Sequence, residues 1–132
     1  MPRLLTFATA ALLFIHGLIH LMGTVVYMQW GTIEGLTYKT TLLFDTWPVG
    51  EAGMRVFGGL WLLLAVGFVA CAVALIAGWS WWRPLLIGTT LLSLGLTLLD
   101  WENAYAGVVV NVIILVALVV GPRLTALVSG SA

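Results

Sequence analysis

Four stretches of the chain, about residues 4–27, 52–77, 84–99 and 104–120, are apolar enough to cross a bilayer as helices. The rest is too short and too poor in charge to build a water-soluble surface. Hydrophobic residues make up 62% of the sequence and charged residues 8%, against roughly 25% charged in an ordinary soluble domain. Five Lys/Arg balance five Asp/Glu, so no basic patch exists to meet phosphates and a nucleic-acid partner is excluded. The expected fold is all-α: one integral membrane domain over residues 1–132, built as a four-helix bundle with both termini on one side and the lipid bilayer as its first partner. Arg3, Ala8 and Ala10 give the first stretch a likeness to a signal peptide, but its apolar run continues past the usual length and no cleavage pattern follows. It is expected to stay as a helix.

Basic residues set the expected orientation. Arg3, Arg83 and Arg123 fall on the side of the termini, Lys39 and Arg55 on the other, so the termini are placed in the cytoplasm. The one long connection, about Met28 to Gly50, then lies outside. Its Thr37–Phe44 core mixes β-branched, aromatic and apolar residues and reads as a short strand or a segment lying on the bilayer, one that packs on headgroups or covers a cavity mouth. Lys39, the only lysine, stands in this polar stretch, so no buried Schiff-base lysine is expected. Glu51 and Arg55 are spaced as an exposed helical ion pair.

Polar residues inside spans carry the most information, because each must find a partner away from lipid. In the first span Thr9, His16, His20, Thr24 and Tyr27 share one helical face, with Gly17 and Gly23 beside it. Thr90, Ser93, Thr97 and Asp100 do the same in the third, and Gly107 and Asn111 in the fourth. Counting 1.5 Å per residue, His20, Ser93, Thr97 and Asn111 lie at one level, roughly 10 Å below the outer end. The expected site is a polar pocket in the outer half of the bundle, lined by His16, His20, Ser93, Thr97, Asp100 and Asn111. Asp100 and Asn103 also fit a short turn that caps the fourth helix. In the second span Ala70, Ala74 and Gly78 form a small-residue seam suited to close helix packing, within the bundle or in a homodimer or larger complex. Cys71, the single cysteine, forbids an internal disulfide and reads as a packing residue.

Three roles are open to the histidine pair. His16 and His20, four apart, can hold one transition metal from one side, with Asp100, Glu102 or Asn111 completing the set, and one of them can ligate a haem. They can also relay protons, as in a proton-coupled carrier of a small solute. Or they simply bond Ser93, Thr97 and Asn111 across helices. Nothing in the chain assembles a catalytic set. The expected function is therefore a non-enzymatic accessory subunit or small-ligand binder. A redox component holding a metal, haem or quinone at His16 and His20 is one alternative, and the carrier is the other.

The run His16-Gly17-Leu18-Ile19-His20-Leu21-Met22-Gly23 resembles the first helix of small four-span bacterial membrane proteins. The run Ala106–Leu115 is similar to their last helix. The size and four-helix plan also resemble DoxX-like membrane proteins, some linked to quinone-dependent sulfur oxidation. The resemblance implies a multi-pass protein of the bacterial inner membrane and carries over no site residue. The chain is also about the size of a small multidrug-resistance transporter. That family depends on a glutamate in its first helix, where this chain has no acid.

Overall fold

The structure, a computed structural model, describes residues 2–130. Its helices are α1 (Arg3–Tyr27), α2 (Gly50–Ala77), α3 (Trp82–Leu99) and α4 (Trp101–Gly130). All four are long and apolar enough to cross a membrane. Their outward residues are those a bilayer accepts: Leu12, Leu63, Val66, Ile113 and Val116 are each more than half exposed. Between α1 and α2, β1 (Thr41–Leu42) pairs antiparallel with β2 (Trp47–Pro48), Leu42 facing Trp47, so the Thr37–Phe44 run does contain a short strand.

The first three helices begin one or two residues before the apolar runs that predict them. The fourth differs at both ends. Helical geometry breaks at Ala104 (φ −130°, ψ 18°), so Trp101–Asn103 form a turn ahead of the apolar run. At the far end Gly121-Pro122 reads as a stop, yet α4 continues to Gly130. Proline has no N–H to give the carbonyl four residues back, here Leu118, and an unpaired carbonyl is costly where no water reaches it. The Arg83 guanidinium, at the start of α3, donates to that Leu118 carbonyl. A side chain from another helix thus replaces the missing backbone donor, and the helix runs on.

Packing proceeds α1 on α2, α2 on α3 and α3 on α4. The first contact is the tightest, and two glycines allow it. A Cβ at Gly17 would stand 3.0 Å from the Ala65 carbonyl oxygen, and one at Gly23 2.7 Å from the Trp61 ring. Ala74 of the small-residue seam is fully buried against the chain's own helices, and Cys71 is fully buried in the apolar core. That core has two parts. One gathers Leu13, Phe68, Leu75 and Leu86 near the chain ends. The other gathers Tyr27, Met54, Phe57, Trp61 and Leu96, closed over by Leu42 and Leu36 of the connecting segment. His16 and His20 lie at their junction against Phe68, His16 edge-on (ring centroids 4.6 Å) and His20 tilted (5.1 Å), with His20 also 5.1 Å from Trp61.

Arg83→Ala strands the Leu118 carbonyl and should destabilise the protein by about 1–3 kcal/mol. In a Pro122→Ala background, where residue 122 regains its N–H, the same change should cost much less. Thermal unfolding of the four variants in detergent checks this, and additive costs would contradict it.

Candidate functional site

Sequence spacing puts His16 and His20 of α1, Ser93 and Thr97 of α3, and Gly107 and Asn111 of α4 each four apart, one turn above another. The fold turns these three stripes toward one point. Gly107 makes the approach of α4 possible, since a Cβ there would lie 2.9 Å from Thr97 Cγ2. His16, His20, Ser93, Thr97 and Asn111 are all buried.

The polarity of their hydrogen bonds follows from one contact. His20 Nδ1 lies 2.8 Å from the carbonyl oxygen of His16. A carbonyl only accepts, so Nδ1 carries the hydrogen. In a neutral ring Nε2 is then the acceptor, and Ser93 Oγ donates to it over 2.8 Å. Having given its proton, Ser93 accepts from Asn111 Nδ2 at 2.8 Å. The same amide group donates to Thr97 Oγ1 at 3.3 Å, and Thr97 in turn donates to the Ser93 carbonyl at 2.8 Å. Asn111 Oδ1 faces His16 Nε2 at 3.2 Å and accepts its hydrogen. The two histidines are therefore opposite tautomers. His16 Nδ1 is left as an acceptor with no hydrogen-bond partner among the described residues.

A second polar group stands nearer the connecting segment. Lys39 Nζ lies 2.8 Å from Asp100 Oδ1, and Tyr27 donates to Asp100 Oδ2. Asn103 Nδ2 donates to Tyr27 Oη and to the Thr37 carbonyl, both at 3.0 Å. The Leu43 N–H reaches the Leu99 carbonyl at 2.9 Å. Three expectations are corrected here. Lys39 is not a solvated loop residue: its side chain is only 13% exposed, and that of Asp100 2%. Asp100 and Asn103 do not spend their side chains as caps of α4; they fasten the connecting segment to the bundle. Glu51 and Arg55 form no ion pair; among the described residues Lys39–Asp100 is the only one. Burial pushes the Asp100 carboxyl above the usual carboxylate range, and the Lys39 and Tyr27 bonds pull it back only in part.

Because α1 packs on α2 and α4 on α3, and α1 meets α4 only sparsely, as at the His16–Asn111 bond, a cleft of about 200 Å³ remains between them, and it joins the two groups. His16, His20, Thr97 and Asp100 line it, with Trp61 behind and Leu36 above. Of the six expected pocket residues, five share one hydrogen-bonded network, of which His16, His20 and Thr97 line the cleft while Ser93 and Asn111 lie behind its wall; Asp100 lines the cleft without a bond to the other five. Trp61, Tyr27, Lys39 and Asn103 were outside the expected set. Tyr27 had a signal, its place on the first polar stripe. Trp61 had none, on a helix apolar all round. Both ring nitrogens of His20 and one of His16 are committed, and no group of three or more His, Cys, Asp or Glu that could hold a metal ion lies among the described residues. Comparison with protein-family models, curated proteins and solved structures finds no match to this chain.

The raised carboxyl fixes a sign. Folded Asp100 keeps its proton to higher pH than the unfolded chain, whose carboxyl titrates near 3.9. Its contribution to stability is full below that value and is lost as pH rises through the folded value. Unfolding temperature should therefore fall from about pH 4 to about pH 8 more steeply in the wild type than in Asp100→Asn. Parallel curves for the two proteins would contradict the assignment.

Proposed function

We propose that the protein is a non-enzymatic, small-ligand-binding protein of the membrane, and that its ligand sits in the cleft between α1 and α4. The supporting observation is the pairing of a void with an uncommitted polar atom of its lining. His16 lines the cleft and its Nδ1 has no partner, although the residue is only 8% exposed. Buried polar groups left unpaired are costly, and a bound molecule that pairs them recovers that cost. The commitments of the other ring nitrogens favour an organic ligand over a metal ion.

In this reading the protein lies in the bacterial inner membrane, as the HGLIHLMG-type first helix implies. Both termini are cytoplasmic, on the side of Arg3, Arg83 and Arg123. The segment over residues 28–49 covers the cleft from the outside, held by Lys39–Asp100 and Asn103–Thr37. The ligand therefore occupies the outer half of the bundle, over the network of His16, His20, Ser93, Thr97 and Asn111.

Mass spectrometry of the organic extract of protein purified in mild detergent tests this. A small molecule should accompany the wild type in stoichiometric amount and be depleted in an Ala106→Trp variant, which places a large ring at an exposed position of the cleft lining. Equal extracts from the two proteins would overturn the reading. A dithionite-sensitive visible band that is lost in His16→Ala would replace it with a redox role.

A further inference from the structure

In a bilayer the open side of the cleft would face lipid. Trp61 backs it, α3 floors it with Thr97, and Leu36 of the fastened segment lies over its upper end. The remaining side is the gap between α1 and α4, where Ile19, Met22 and Ala106 line the cleft and are exposed on the outer surface. Ile19 is two turns before Tyr27, the last residue of α1. At 1.5 Å per residue that places the gap about 12 Å below the end of the helix, at the depth of acyl chains rather than headgroups.

Size and polarity narrow the occupant. About 200 Å³ is below the roughly 300–1,000 Å³ of pockets that enclose a drug-sized molecule. The cleft has room for a compact head but not for a long chain. Asp100 is the one acid lining it, and Lys39 already holds that carboxylate. No free charge is offered to a charged head. Beside the histidines the uncommitted atom is an acceptor, His16 Nδ1, whereas the unpaired Trp61 Nε1–H is closed off by its neighbours and has no surface on the cleft. A hydroxyl is the smallest uncharged group that donates to such an acceptor.

From this we infer that the site binds the hydroxyl head of an uncharged, membrane-dissolved long-chain alcohol, with its tail leaving between α1 and α4 into the bilayer. The inference rests on the ligand-binding reading above and adds the class of ligand and its route. The hydroxyl donates to His16 Nδ1, and the tail lies against Ile19 and Met22. The ligand reaches the site sideways from the bilayer and never crosses the segment that covers the outer end.

Equilibrium binding of radiolabelled farnesol to the protein in phosphatidylcholine nanodiscs tests this. Farnesyl methyl ether and farnesyl phosphate serve as matched tails, and benzyl alcohol as a tail-free, water-soluble hydroxyl. Farnesol should bind saturably and about tenfold more tightly than the ether, the equivalent of one hydrogen bond. His16→Phe should bring farnesol down to the level of the ether. Val110→Trp, on the exposed face of α4 one turn beyond Ala106 and outside the lining of the cleft, should weaken farnesol and leave benzyl alcohol unchanged. Equal affinity for farnesol and the ether, or tighter binding of the phosphate, overturns the hydroxyl head. Benzyl alcohol bound through His16 with farnesol excluded overturns the lipid route while the ligand-binding reading stands. Failure of all four probes to bind removes the class of ligand proposed here; a co-purified molecule of another class in the organic extract would then keep the broader reading.

Discussion

One hydrogen bond within a single helix, from His20 Nδ1 to the carbonyl of His16, sets the direction of the polar contacts in the middle of this bundle. Its consequences pass through Ser93 to Asn111 and back to His16, touching three helices. Each member has spent its donor before it is asked to accept. The ring of contacts is closed except at His16 Nδ1, and that gap is where the cleft lies. Interhelical hydrogen bonds in membranes are modest individually, about 0.6 kcal/mol on average. Their value here is geometric, because they hold α4 against α3 and tether it to α1 at one point while leaving the space above that point unfilled.

The same constraint, that polar groups far from water need partners, governs the two ends. At the far end of α4, Pro122 leaves the Leu118 carbonyl without a donor and Arg83 supplies one. At the other, Lys39, Tyr27 and Asn103 converge on Asp100 and the start of α4, so that a connecting segment becomes a fixed cover. These two arrangements differ in what they can give up. The Arg83 contact repairs a helix and leaves nothing free, whereas the cover lies over a void that stays open between α1 and α4. Function is therefore read from the second end.

Much of this was legible in the sequence, and the failures have definite causes. The spacing of polar residues on apolar helices brought His20, Ser93, Thr97 and Asn111 to one level, with His16 a turn deeper on the same face, because in lipid such residues have few other places to go. Gly17 and Gly23 foretold the close α1–α2 contact in the same way. Lys39 was misread because its partner lies far along the chain, and a lysine among threonines in a loop looks solvated. Asp100 and Asn103 were misread because turns use those residues as caps far more often than as anchors. The end of α4 was lost to Gly121-Pro122, a local stop signal overridden by a tertiary donor. The hairpin tip is the least legible part. Leu43, Phe44 and Asp45 take left-handed conformations (φ 52°, 53° and 64°) that no sequence rule assigns to leucine and phenylalanine. They are held by bonds from Thr41 to Asp45 and from Thr46 to the Leu43 carbonyl.

The arrangement of the two imidazoles is the claim on which the site and its proposed ligand both depend. Nitrogen-15 NMR of histidine-labelled protein in nanodiscs, assigned with His16→Phe and His20→Phe, measures it directly. The account predicts two different neutral tautomers: hydrogen on Nδ1 in His20, and hydrogen on Nε2 with a free Nδ1 in His16. Finding the same tautomer in both rings, or hydrogen on His16 Nδ1, would contradict it.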